Sequence, residues 1–348
     1  MTNTRLNLLE VLRFIAALLV MLYHITIHYI ETDYKFLGNI FKFGYSGVDI
    51  FFVLSGFIIF YSLNIKQYSA FDFISKRVIR ILPSFWIFLF LPTLALQLFN
   101  LTDKFPHLLE TVPMLKTLFL TFDHKQIGPS WTLSYELFFY LSVFIGLLIG
   151  ENQKLLLILF ILPLLYVFPI NLDSGSFNFF TKPLILEFLI GIIVFKIYKK
   201  NVISKSNSIL LFIISSLIFI FNGVMLGIIS DNYPLLMGRL LLFGLPSGGI
   251  ILGLISLERH CQIKVQPFMI LLGSSSYLMY LIHSYIVAPI DKLALNQLSN
   301  TFFINSISIF GALLVIFLSV LLYKNIEFPL IRFLNRKSKL YLTKNKRY

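Results

Sequence analysis

Residues 7–29 read Asn7-Leu-Leu-Glu-Val-Leu-Arg-Phe-Ile-Ala-Ala-Leu-Leu-Val-Met-Leu-Tyr-His24-Ile-Thr-Ile-His-Tyr29. A bilayer core of about 30 Å needs roughly 20 mostly apolar residues to cross it as a helix, and this stretch is long enough. Its charges forbid a cleavable leader: Glu10, Arg13 and His24 interrupt the apolar run, and no small-residue cleavage site follows it. The stretch therefore predicts a first transmembrane helix that carries polar groups at chosen depths.

The rest of the 348-residue chain repeats that pattern. Hydrophobic residues make up 57% and charged residues 13%, and the mean hydropathy is +0.85. A soluble protein of this size carries about 25% charged residues, so disorder, a secreted disulfide scaffold and an ordinary cytosolic enzyme are excluded. The single cysteine, Cys261, allows no internal disulfide. Histidine and cysteine show no zinc-type spacing, so no metal site is expected.

Ten stretches approach span length: 7–29, 46–64, 79–99, 130–149, 154–170, 182–198, 208–229, 235–257, 268–290 and 305–326. The fifth is short and contains Pro163, so nine or eleven crossings stay open. The net charge of +13 reports topology in so apolar a chain, not nucleic-acid binding. With the N-terminus inside, 20 of the 29 Lys and Arg fall on the cytoplasmic side and 7 on the other, while Arg13 and Arg239 lie within spans. That asymmetry predicts an all-α bundle of about ten transmembrane helices with both termini cytoplasmic. The expected organisation is a transmembrane domain over 1–333 and a basic cytoplasmic tail over 334–348.

Charges inside a membrane cost roughly 2.5–3.5 kcal/mol each near the centre, so each needs a partner or a purpose. The topology places His24, Asp49, Glu136, Glu187, Arg239 and His283 near outer helix ends. It places Glu10, Arg13, Arg77, Arg80 and Glu327 near inner ends. The first helix joins these layers: eleven residues separate Arg13 from His24, about 1100° of rotation, which puts both on one stripe roughly 16 Å apart along the axis. The plain structural alternative pairs Arg13 with Glu10 and ties His24 to a neighbouring helix.

Glu136 lies close to the expected depth of His24, and a carboxylate beside an imidazole fixes its tautomer and stabilises its cation. A structural ion pair between Glu136 and Arg239 is the alternative. Arg77 and Arg80, three apart on one helix face, suit phosphates; a topogenic cluster against lipid headgroups fits the spacing equally. Ser55-Gly56 reads as a close helix contact in preference to a nucleophile. Trp131 reads as an interfacial aromatic. His107 and His124 have no nameable partners, and no phosphate-loop, dinucleotide or HExxH motif occurs.

Several stretches, in order, together resemble the membrane-bound acyltransferase family 3. They are Leu12-Arg13 followed by His24, Gly47-Val-Asp-Ile-Phe-Phe-Val-Leu-Ser-Gly-Phe57, and Lys76-Arg77-Val-Ile-Arg80-Ile-Leu-Pro83. Then come Ser130-Trp-Thr-Leu-Ser-Tyr-Glu136-Leu-Phe-Phe-Tyr140, Ser276-Tyr-Leu-Met-Tyr-Leu-Ile-His283 and Ile326-Glu-Phe-Pro329. The resemblance implies a bacterial inner-membrane enzyme that takes an acyl group, usually acetyl, from cytoplasmic acyl-CoA to a hydroxyl of an envelope or exported glycan.

Carried over by motif, His24 is the expected catalytic histidine and Arg13 its partner on the first helix. Arg77 and Arg80 go with the donor acetyl-CoA, and Glu136 is the acid of its stretch. Asp49, Trp131, Arg239 and His283 are the expected substrate-side residues. The expected partners are acyl-CoA, a glycan or lipid-linked glycan and membrane lipids, without nucleic acid or metal. Some relatives carry an appended periplasmic hydrolase domain, for which the stretch from Glu327 to Tyr348 leaves no room in this layout. Two other classes compete: a flippase for a lipid-linked glycan, which predicts paired interrupted helices, and a non-catalytic anchor, which predicts that His24 is dispensable.

Overall fold

A computed structural model describes residues 6–26, 41–66, 68–98, 130–150, 183–229, 236–261, 263–295 and 301–344. Among them there is no strand; the chain is helical wherever it is regular. The helices are α1 (Asn7–Thr26), α2 (Gly47–Ile65), α3 (Ala70–Leu98), α4 (Ser130–Ile149), α5 (Ile185–Lys200) and α6 (Lys205–Ile229). They continue with α7 (Leu236–Arg239), α8 (Leu245–Cys261), α9 (Pro267–Ser274), α10 (Ser276–Leu295), α11 (Thr301–Leu322) and α12 (Phe328–Lys344). A 3-10 turn, Lys42–Ser46, leads into α2, and π-helical turns Leu240–Gly244 and Tyr323–Glu327 follow α7 and α11.

Each expected span other than 154–170, which lies outside the described residues, falls on helix. By length and composition six of these helices can cross a membrane, or seven if α9 and α10, bent by 60°, form one broken span. The protein is a multi-span membrane protein on this evidence. Its outward faces agree: Leu210, Ile213, Leu217 and Phe221 on α6 and Ile309, Leu313 and Phe317 on α11 are exposed, as lipid-facing residues must be.

The chain forms two compact units, Met1–Lys66 with Lys182–Val320, and Gln67–Thr181 with Leu321–Tyr348. In the first, α1, α2, α5, α6 and α8 share a core that includes Leu12, Ala16, Val53, Phe57, Phe243 and Ile251. Lipid supplies no hydrophobic push between helices, so close packing of small residues has to hold them. A Cβ on Gly56 of α2 would run into the Phe188 carbonyl of α5, and one on Gly191 of α5 would run into the Val53 carbonyl of α2. These two glycines let the backbones touch.

The last turn of α8 ties down two other helix ends. Glu258 accepts the Asn7 and Leu8 amides at 2.6 and 3.1 Å, satisfying two of the unpaired donors that open α1. Beside it, Arg259 donates to the Tyr198 carbonyl at 2.9 Å and to Asn201 Oδ1 at 2.6 Å. Asn201 ends α5 in the left-handed conformation, so a cation closes that helix where its carbonyls collect negative charge.

In the second unit, α3 begins at Ala70, well before the expected start at residue 79. The cause is local: Ser69 Oγ accepts the Asp72 amide at 3.1 Å and donates to the Asp72 carboxylate at 2.7 Å, a reciprocal cap. Arg77 and Arg80 consequently sit within the helix body. Phe71 and Phe73 of α3 pack edge-on against Phe144 and Tyr140 of α4.

Replacing Glu258 with Ala should cost about 1–2 kcal/mol, the worth of a helix N-cap. Thermal unfolding of the purified protein in detergent checks this, and Glu258→Gln, which keeps a carbonyl acceptor, should recover part of the loss.

Candidate functional site

The first unit collects His24, His283, Asp49 and Arg239 around Tyr23 and Tyr45. His24, in the last turn of α1, has its Nδ1 2.8 Å from the Val20 carbonyl. A carbonyl only accepts, so Nδ1 carries the hydrogen and the neutral ring keeps its lone pair on Nε2. The group that fixes the His24 tautomer is thus a backbone carbonyl one turn back. The His24 ring lies 4.9 Å from that of His283 on α10, centroid to centroid. His283 repeats the arrangement, with Nδ1 2.7 Å from the Tyr280 carbonyl. It is buried, and its Nε2 has no hydrogen-bond partner.

Tyr23 stands edge-on to His24 at 5.0 Å and to Tyr45 at 5.8 Å. Tyr45 in turn lies under the Arg239 guanidinium, 4.9 Å from ring centroid to Cζ. Arg239 Nε and Nη2 grip the Asp49 carboxylate at 2.8 Å each, and Nη2 also reaches the Tyr45 carbonyl at 3.3 Å. The carboxylate that holds Arg239 is therefore Asp49, and the open pairing of Arg239 with Glu136 is answered. Glu187 of α5 is buried beside the Asp49–Arg239 pair, with Gly244 of the π-helical turn packed against its side chain. The first turn of α2 presses on α1 just before His24: a Cβ on Gly47 would strike the Ala16 carbonyl and approach Val20 Cγ2 to 2.9 Å.

Arg13 pairs with Glu10 on its own helix at 3.5 Å, the plain alternative that its spacing allowed. It stays on the stripe that ends at His24.

The second unit holds Arg77, Arg80, Glu136 and Trp131. Tyr140 donates its hydroxyl to Glu136 one turn back on α4. Its ring lies 5.8 Å from the Arg77 guanidinium, which also stands 5.5 Å from Phe73. Arg80, one turn further along α3, meets Glu327 at 3.5 Å. Glu136 and Arg77 are linked through one side chain. Tyr140 bridges them, giving the sequence Glu136, Tyr140, Arg77 along two helices. Trp131 contacts Tyr135 edge-on at 6.0 Å.

Sequence reasoning passed over Tyr45, Tyr140 and the anchoring roles of Glu258 and Glu327. Tyr140 was findable, because position i+4 from Glu136 shares its helix face. Both π-helical turns border an ion pair with a buried carboxylate, Arg239 preceding one and Glu327 closing the other. Such turns often mark functional positions, and nothing in composition announces them. Among the described residues no cluster of His, Cys, Asp and Glu is arranged for a metal ion.

The chain belongs to the acyltransferase family whose domain model matches residues 6–324. It is 30% identical over 271 residues to the exopolysaccharide production protein ExoZ of Rhizobium meliloti (strain 1021), covering 74% of this chain and 81% of that protein. No solved structure matches.

Asp49→Ala would leave the Arg239 charge buried without its counter-charge and should destabilise the protein by about 3–5 kcal/mol. Removing both partners, as Asp49→Ala with Arg239→Met, should recover much of that loss, as a double-mutant cycle of unfolding in detergent would read out.

Proposed function

We propose that the protein is a glycan O-acetyltransferase of the bacterial inner membrane, moving acetyl from cytoplasmic acetyl-CoA to a hydroxyl of an exopolysaccharide or related surface glycan. The observation that carries this is the His24 ring in a chain of the acyltransferase family. Its Nδ1 is committed to Val20, so Nε2 is the basic atom. The name of the relative from Rhizobium supplies the exopolysaccharide context.

The reaction is an ester-forming transfer from a thioester. His24 Nε2 takes the proton of the acceptor hydroxyl while its oxygen attacks the acyl carbon. The C–S bond breaks, and the thiolate recovers the proton from His24, leaving ester and free CoA. Arg77 and Arg80 provide guanidinium groups for the donor's phosphates, with Arg13 assisting. Glu327 pre-aligns Arg80, and Glu136 acts through Tyr140 on Arg77. Asp49 and Arg239, bound to each other, shape the acceptor side by holding Tyr45 and the start of α2. Trp131 contributes an aromatic face to the sugar.

A second reading, transport of a lipid-linked glycan, draws on the broken α9–α10 pair, since transporters bind substrates at interrupted helices. Labelled acetyl-CoA should bind the purified protein under the first reading and not under the second.

The direct test supplies labelled acetyl-CoA to membrane vesicles. Wild type should label glycan, and His24→Ala at matched expression should fall by about 10²- to 10⁴-fold, the usual worth of a general base. Equal labelling by both would remove His24 from the reaction. Arg77→Ala and Arg80→Ala should raise the KM for acetyl-CoA more than they lower kcat, because they remove binding common to ground and transition states.

A further inference from the structure

We propose that Glu187 is a carboxylic acid that keeps its proton and donates it in a hydrogen bond to Asp49, so that Asp49, Glu187 and Arg239 form a neutral three-group cluster. The observation behind this is a charge count that does not close. Asp49 and Glu187 are both fully buried, and the Arg239 side chain is 12% exposed. With both acids ionised, two negative charges would face one guanidinium in an apolar chain. Buried groups avoid such an excess by taking up a proton.

Geometry decides which acid holds it. Both Asp49 oxygens serve the cation: Oδ1 accepts from Arg239 Nε and Oδ2 from Nη2, each at 2.8 Å. Neither Glu187 oxygen accepts from any N–H or O–H donor. Glu187 nevertheless stands in side-chain hydrogen-bond contact with Asp49. Ionised carboxylates only accept, so two of them repel at that range unless one oxygen carries hydrogen. Asp49 is committed to the guanidinium, and Glu187 makes no bond to any cation, so the hydrogen belongs on Glu187.

The surroundings keep it there. Glu187 lies in the first turn of α5. Gly244 closes over it from the π-helical turn, where an added Cβ would stand 3.2 Å from Glu187 Cγ and 3.4 Å from Oε1. On α8, Gly248 faces Ile190 and Val194 of α5 and brings no charge to the carboxyl. Among the described residues, the charged side chains acting on Glu187 are Asp49 of α2 and Arg239 of α7. The Glu187 O–H takes a lone pair of Asp49 that the guanidinium leaves open, which holds the carboxylate in its two-pronged grip. One proton, taken up from water as the chain folds, thereby joins α2, α5 and α7 at a single point. Nothing in this depends on which group the protein transfers.

Infrared spectroscopy of the wild-type protein in lipid reads the proton directly, because a protonated carboxyl has a carbonyl stretch above the amide bands and an ionised one does not. Glu187→Gln should remove such a band from the spectrum. In wild type, carbon-13 labelling of glutamate carboxyls should shift that band, and labelling of aspartate carboxyls should leave it in place. A band that follows the aspartate label would put the proton on Asp49 and overturn the proposal, as would a wild type with no protonated-carboxyl band. The labelling arm needs no variant, so a Glu187→Gln protein that fails to fold does not block it.

Reversible unfolding in mixed detergent micelles supplies a second measure. In the unfolded chain Glu187 is exposed and loses its proton above a pH of about 4.3. The folded chain keeps it and so holds one proton more, which makes stability fall as pH rises. Near neutral pH the unfolding equilibrium constant of wild type, relative to that of Glu187→Gln, should rise about tenfold per pH unit. Equal pH slopes for the two proteins would sink the proposal. Glu187→Leu fills the space but donates nothing, and should unfold at a lower midpoint than Glu187→Gln, whose amide can still donate to Asp49. Equal midpoints for Leu and Gln would mean that no hydrogen bond from residue 187 holds Asp49.

Discussion

A guanidinium buried among helices in an apolar chain must have its counter-charge built in, and the Asp49–Arg239 pair is where this protein meets that requirement. The two residues are 190 apart in sequence. Their pairing fixes the start of α2 against the helical turn that leads into α8, and it brings Tyr45 and Glu187 to the same place. Through Tyr45 and Tyr23 the pair is in ring contact with His24. Solvent cannot rescue a misplaced charge here, so the geometry of the pair constrains α1, α2 and α5 together. The glycine contacts at Gly47, Gly56 and Gly191 make the same arrangement sterically possible, because any side chain there would hold the backbones apart.

The second unit answers the same constraint differently. Arg77 lies between aromatic faces, those of Phe73 and Tyr140. Arg80 takes its carboxylate from Glu327, in the π-helical turn that ends the approach to α12. Rings and a partly open ion pair stabilise cations less rigidly than the bidentate grip on Arg239. An arginine meant to exchange partners with a donor phosphate needs that looser hold. The contrast between the Arg239 and Arg77/Arg80 settings therefore follows what each is proposed to do.

Much of the fold was legible because hydrophobic runs of span length can be read one at a time. The stripe joining Arg13 to His24 was legible for the same reason: helical period alone sets it. The start of α3 was missed although Ser69-x-x-Asp72 spells a capping box, because hydropathy fixed the boundary and the cap lay outside it. The partner of Arg239 was not legible, since no local rule connects residues on different helices, and depth offered Glu136 and Asp49 equally. The contact of His24 with His283 was hidden for the same reason. Depth placed both near one face, but only packing could bring α1 and α10 together.

The carboxylates show where the buried negative charge of the described residues is spent. Glu10 pairs with Arg13, Asp49 with Arg239, and Glu327 with Arg80. Glu136 takes the Tyr140 hydroxyl, and Glu258 takes the first amides of α1. A catalytic histidine in a soluble enzyme commonly needs an acid to choose its tautomer and support its cation. In α1 the first task falls to the Val20 carbonyl, which the helix provides without adding a buried charge. In a medium where every unpaired charge is costly, a tautomer fixed by the helix's own backbone adds no ion that must be kept desolvated.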